Sequence, residues 1–146
     1  DFHVVNQNMT GNTHLQARSM AEALRNCPAA ERPALFLSAG ETTLHVQGDG
    51  KGGRNQEFAL VAAMELEGVE RVALLSAGTD GTDGPTDAAG AFADGSLVAR
   101  AQALGLTPDE ILARNDSYTL FKATQDLLRT GPTGTNVMDL VLGIAF

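Results

Sequence analysis

The sequence predicts one α/β domain over residues 1–146, with a mixed, mostly parallel sheet flanked by helices. Three observations predict it. Short apolar runs at 34–38 and 72–76 alternate with helix-length segments. The glycines gather in three polar loops between these segments and form no repeat. At 146 residues, 43% hydrophobic and 19% charged, the chain has the size and balance of a single globular domain with a real core.

In chain order, residues 2–5 read as a short strand, and 12–26 as a helix with Leu15, Ala21 and Leu24 on one face. Residues 34–38 are a buried-strand run. Thr43, Leu44, His45 and Val46 alternate polar and apolar as a further short strand. It follows its neighbour too closely for a helical crossover, which makes the predicted sheet mixed. After the 48–54 loop, Asn55 is placed to cap a helix over 56–66. Phe58, Leu60, Val61, Met64 and Leu66 make that helix apolar almost all round, so it is expected to be buried on more than one side, and Gly68 ends it. Residues 72–76 form the next strand and 91–93 a minor one. A helix over 95–104 stops at Gly105. Thr107-Pro108-Asp109-Glu110 reads as a capping box with Pro at the first helical position. A last helix over 117–128 has Tyr118, Phe121 and Leu128 on one face, and 137–144 is the final strand.

The loop after the 72–76 strand is the most informative segment. Residues 78–90 hold three aspartates, three threonines and four glycines, and no Lys or Arg lies between Arg71 and Arg100. Such a run places carboxylates and hydroxyls at a strand end, where open α/β sheets bind ligands. Leu37-Ser38-Ala39-Gly40 and Leu75-Ser76-Ala77-Gly78 repeat the same ending before a polar loop. If the two strands are parallel neighbours, both loops share one sheet edge, and that edge is the predicted site.

Composition excludes several classes. A net charge of −8, no Trp and one Tyr argue against nucleic acid and anionic membranes. No apolar run approaches a membrane span, and no charged-then-apolar signal pattern opens the chain. Cys27 is the only cysteine and reads as structural, which fits a reducing, cytoplasmic setting. Asp1 in place of Met suggests a piece of something longer.

Gly48-x-Gly50-x-x-Gly53 matches a dinucleotide fingerprint, but the following strand ends in Ser76-Ala77-Gly78, with no acid placed for a ribose. Lys51 is followed by Gly52, which excludes a phosphate P-loop. What survives is a glycine-rich loop opening a helix, whose free N–H groups and dipole favour an anion, with Arg54 as a fixed positive fork. The plain alternative is a solvated turn with Arg54 on the surface. Asp80, Asp83 and Asp87 lack the calcium-loop pattern. They suit a Mg²⁺ held mainly by phosphates, a general base, or turns that bond their own backbone. His3, His14 and His45 show no metal spacing, and no nucleophile elbow is present.

Together the blocks Gly40-Glu41-Thr42-Thr43, Gly52-Gly53-Arg54-Asn55-Gln56-Glu57, Gly78 to Gly90, Asn115-Asp116-Ser117 and Thr130 to Asn136 resemble the MOFRL domain. This is the C-terminal domain of glycerate kinases once described as hydroxypyruvate reductases. The resemblance spans roughly residues 33–146. It implies ATP- and Mg²⁺-dependent phosphorylation of D-glycerate or a similar hydroxy acid, commonly to 2-phosphoglycerate, in a cleft between two domains. It implies Arg54 and Asp80 as catalytic residues. The supporting substrate-binding set is Glu41, Thr42, Gly52, Gly53, Asn55, Gln56, Glu57, Thr79, Thr82, Asp83, Asp87, Asn115, Ser117, Thr133, Thr135 and Asn136. The direct metal ligands are left open. The family's N-terminal nucleotide-binding domain, which brings a catalytic Lys, is absent here, so this chain would carry half a site. Met138 stands where the family's block has Asn. Two alternatives stay open: an NAD(P)H-dependent hydroxypyruvate reductase, and a non-catalytic anion-binding module. A homo-oligomer is left open under every reading.

Overall fold

The computed structural model describes all residues, 1–146. Six strands form one sheet: β1 (Phe2–Met9), β2 (Ala34–Gly40), β3 (Val72–Gly78), β4 (Gly90–Asp94), β5 (Leu127–Leu128) and β6 (Asp139–Ala145). Five helices accompany them: α1 (Thr13–Arg25), α2 (Arg54–Glu65), α3 (Leu97–Ala103), α4 (Pro108–Ala113) and α5 (Ser117–Thr124). The strand order is β1-β2-β6-β3-β4-β5.

The sheet is mixed, as expected, but mostly antiparallel rather than mostly parallel. Only β1 and β2 pair in parallel; every other neighbouring pair is antiparallel. The reason is β6. It inserts between β2 and β3 and runs against both, so two strands that point the same way are not neighbours. The shared Ser-Ala-Gly endings therefore converge on a third strand: Gly40 and Gly78 both lie opposite Asp139, the first residue of β6.

Two other expectations change. The 43–46 segment is not a strand. It makes a single bridge from Thr43 to Asn12, its backbone held by Gly11 and Thr13, because no strand lies alongside it. The 117–128 helix stops at Thr124, where Gln125 turns left-handed (φ 64°), and Leu127–Leu128 extend along β4. In α1 Leu15 is exposed; Ala17, Met20, Ala21 and Leu24 make the buried stripe. The capping box at Thr107 forms no side-chain bond, although Pro108 does open α4.

Alternation along the strands builds the core on one face. Ala34, Phe36, Val72, Leu74, Ala91, Ala93, Val141 and Ala145 point to it and meet α1 and α2. Helix α2 lies at its centre, with Phe58, Leu60 and Val61 buried, as its all-round apolar sequence requires. Gly143 is needed for this packing: a Cβ there would come within 2.9 Å of Leu24. This arrangement leaves the ends of β2 and β3 and the start of α2 at one rim.

Candidate active site

The rim is organised by Arg54 and Asp139. Arg54 opens α2 and reaches the start of β6, where Nε donates to Asp139 Oδ2 at 2.6 Å and Nη2 to Oδ1 at 3.0 Å. Asp139 is 1% exposed. A carboxylate buried so deeply requires a partner, and the two-pronged guanidinium supplies it. The remaining Nη1 meets Glu41, which is exposed at the end of β2, at 3.1 Å. The hydrogen bonds it donates to Asp139, then the charges of Asp139, Glu41 and Asp83, hold the guanidinium above its ordinary value against the opposing effect of burial. Asp139 is the rim residue that the motifs passed over. Its signal was present in the sequence, as an acid at the head of the apolar run Leu140, Val141, Leu142.

Asp80 lies beside this pair. A Cβ on Gly78 would sit 3.2 Å from Asp80 Oδ1 and 3.6 Å from Asp139 Oδ1. Thr82 donates to Asp80 Oδ1 from its backbone N–H (2.9 Å) and its hydroxyl (3.0 Å). These bonds, and after them the charge of Arg54, hold the Asp80 carboxyl below its ordinary value. Oδ2 carries no bond to the protein. Thr79 and Thr133 tie the neighbouring loops together. Thr79 donates its hydroxyl to the Met138 carbonyl (2.7 Å), and Thr133 donates its N–H to the Asp80 carbonyl (3.1 Å). Thr135 and Asn136 are exposed in the same loop, where Asn136 accepts from the Met138 N–H.

The other expected residues form a buried layer behind the rim. The first free N–H groups of α2 are already capped: Asp83 accepts from the backbone of Asn55 and Gln56, both at 2.9 Å, and from the Gln56 side chain. The anion expected at this helix start is therefore the protein's own carboxylate, and Asn55 lies inside the helix instead of capping it. Burial pushes the Asp83 carboxyl up, against these donors. Glu57 accepts from both sides, from His14 at 2.6 Å and from the Asn115 amide at 2.9 and 3.1 Å. Asn115 Oδ1 in turn takes the N–H groups of Gln47 and Gly48. Thr42 is buried and accepts from Thr13. Asp87 stands apart, held by Tyr118 Oη (2.8 Å) and Arg129 Nε (3.0 Å).

The glycine loop has an internal explanation. A Cβ on Gly48 or Gly50 would strike the Arg114 backbone at 2.2 or 2.5 Å, one on Gly52 the Ser117 hydroxyl at 2.3 Å, and one on Gly53 the Asp83 side chain at 2.4 Å. These glycines let the loop lie flat on residues 114–117 and on Asp83, so the fingerprint spacing needs no dinucleotide.

The MOFRL family model matches residues 34–139, which include every rim residue above. The chain belongs to the MOFRL family. A D-glycerate 2-kinase of Thermotoga maritima is 57% identical over 114 residues, 78% of this chain and 27% of that protein. The Homo sapiens glycerate kinase is 48% identical over 127 residues, 82% of this chain and 24% of that protein. The crystal structure of the Thermotoga maritima glycerate kinase superposes on all of this chain and 36% of its own, with a TM-score of 0.96 and 45% identity. This MOFRL chain thus spans about a quarter to a third of the length of the glycerate kinases it matches.

Proposed function

We propose that this chain is the C-terminal active-site half of an ATP-dependent kinase that phosphorylates D-glycerate, forming 2-phosphoglycerate. The observation that carries the reading is the clamped Arg54 beside Asp80 at the joint end of β2 and β3, in a chain of the MOFRL family. Phosphoryl transfer asks a protein mainly for positioning and charge neutralisation. Asp139 fixes the guanidinium plane through Nε and Nη2 and leaves Nη1 at the rim, where its partner is the exposed Glu41. There Arg54 would hold the substrate carboxylate or the transferring phosphoryl group. Asp80, kept ionised, is a weak base but a good acceptor, so it would orient the attacking hydroxyl through its free Oδ2 and receive its proton late.

The donor set fits a Mg²⁺ that takes most of its ligands from phosphate and water. Asp80 offers one free oxygen and Glu41 is exposed. The only compact trio of ligand groups, Asp1, His3 and Glu31, lies at the far end of β1. Held at the rim by Asp80 or Glu41, the ion would offset the charge of the phosphates. The partner domain that completes the cleft would supply the nucleotide site.

The test is ADP release from Mg-ATP and D-glycerate by the full-length protein, beside NADH oxidation with hydroxypyruvate. ADP release is expected, and NADH oxidation alone would overturn the reading. Asp80→Asn is expected to lower kcat by about 10²-fold or more. Arg54→Ala should raise the glycerate KM. Near-normal kinetics in either variant would remove that residue from the mechanism.

A further inference from the structure

We propose that Lys51 and Lys122 form a phosphate-binding site over the face of Tyr118. They are the only lysines in a chain of net charge −8, and Tyr118 is its only tyrosine. Lys51 comes from the glycine loop and Lys122 from α5, yet both ammonium groups lie over one ring, 4.5 and 5.9 Å from its centroid. Both are close enough for attraction to the ring face.

What surrounds them is acidic but already engaged. Every ion pair of the fold uses an arginine or a histidine, and none a lysine. Asp116 accepts from the Lys51 N–H (2.9 Å) and the Thr119 hydroxyl (2.9 Å). Asp87 accepts from the Tyr118 hydroxyl and from Arg129. Two positive charges are thus gathered on one side chain, and neither is in ion-pair contact with a carboxylate. Like charges held together repel, and a multiply charged oxyanion seated between them relieves that repulsion.

The site is held in place. The Lys51 carbonyl accepts from the Tyr118 N–H at 2.9 Å, which fastens the glycine loop to the start of α5. Tyr118 is buried, and its hydroxyl is anchored. Lys51, Tyr118, Thr119, Lys122 and Ala123 line an open cavity of about 620 Å³, within the range that accepts small ligands. Lysine recognises phosphate as a point charge and demands no fork geometry, so two of them suit a flexible polyphosphate. The phosphate has two candidate sources, the polyphosphate tail of the phosphoryl donor and the phosphorylated product. That choice rests on the kinase reading; the site itself does not.

The single Tyr and absent Trp make the test direct, since the tyrosine emission of this chain reports Tyr118 alone. Titration of the 146-residue chain with inorganic pyrophosphate at constant ionic strength is expected to change that emission saturably. Lys51→Gln combined with Lys122→Gln is expected to weaken binding tenfold or more, with unchanged circular dichroism. No saturable change, or the same affinity in the double variant, overturns the proposal. Competition by ATP and ADP would assign the site to the donor, and competition by 2- and 3-phosphoglycerate to the product. Pyrophosphate binding displaced by neither class would also overturn it, as general anion capture. Full-length protein that binds pyrophosphate through these lysines but never turns over glycerate would sink the kinase reading alone.

Discussion

Met138 holds a left-handed backbone, φ 70°, immediately before the buried Asp139. An unbranched side chain there costs about 1 kcal/mol, whereas Asn visits this region readily. The loop keeps the conformation because Thr79 accepts from Val137 N–H and donates to the Met138 carbonyl. Met138→Asn is therefore expected to add about 0.5–1 kcal/mol of stability, read as a higher midpoint in urea. A lower midpoint would mean that the methionine side chain contributes packing that outweighs the strain. Asp83 gives a prediction of different sign. Asp83→Asn keeps one acceptor and turns an amide toward the Asn55 and Gln56 donors, at a cost of about 1–3 kcal/mol. Burial raises the folded-state pKa of Asp83 above its ordinary 3.8. Its proton linkage therefore favours the fold below pH 3.8, and that contribution is lost as pH rises through the raised value. The stability gap between wild type and Asp83→Asn should narrow with rising pH across that window. A gap that widens instead would show that the N–H donors outweigh burial.

Helix α2 shows how an element is specified from outside itself. Its sequence announces a buried helix, but no side chain at its own N-cap, Gly53, closes it. Asp83, from the loop after β3, does so, and the loop can approach only because Gly53 has no side chain. Gly53→Ala would set a Cβ 2.4 Å from Asp83 Cγ and 2.5 Å from its backbone. Since backbone cannot step aside cheaply, the expected cost is about 1–3 kcal/mol. The helix start would shift with it and carry Arg54 away from Asp139. Denaturation and glycerate kinetics on the full-length protein check both halves of this expectation. A variant with wild-type stability and KM would show that the loop is softer than its contacts suggest.

The whole molecule has two layers, helices on one face of the sheet only. On the other face Leu35, Leu75, Phe92, Leu142 and Ile144 form an apolar patch without charge among them, and Leu35, Phe92 and Ile144 are exposed. An exposed patch of this kind binds apolar probes. The 146-residue chain is expected to enhance the fluorescence of an anilinonaphthalene dye while fully folded, and Phe92→Lys should reduce that signal without lowering stability. Dye binding unchanged by the substitution would place the accessible apolar surface elsewhere. No helix in the fold is long and apolar enough to cross a membrane.

Local pattern in the chain was enough to set the elements and the chemistry of the loops. Apolar periodicity located α1, α2, β2 and β3 to within a residue or two, because their buried faces repeat at 3.6 or 2 residues. Residue type marked Arg54 and the aspartates of residues 78–90 as the charged groups of glycine-rich loops, and only the family resemblance singled out Asp80 among them. Residue type could not show that β6, more than sixty residues after β3, slots between β2 and β3, because strand pairing is a long-range choice that no local pattern encodes. The tertiary structure alone made that choice, and with it the site. It brought Asp139 opposite both Gly40 and Gly78, turned Arg54 onto it, sent Asp83 inward as a helix cap and left Asp80 at the rim. Three aspartates in one loop region of sequence read alike; burial and the partners each one found are what separated their roles.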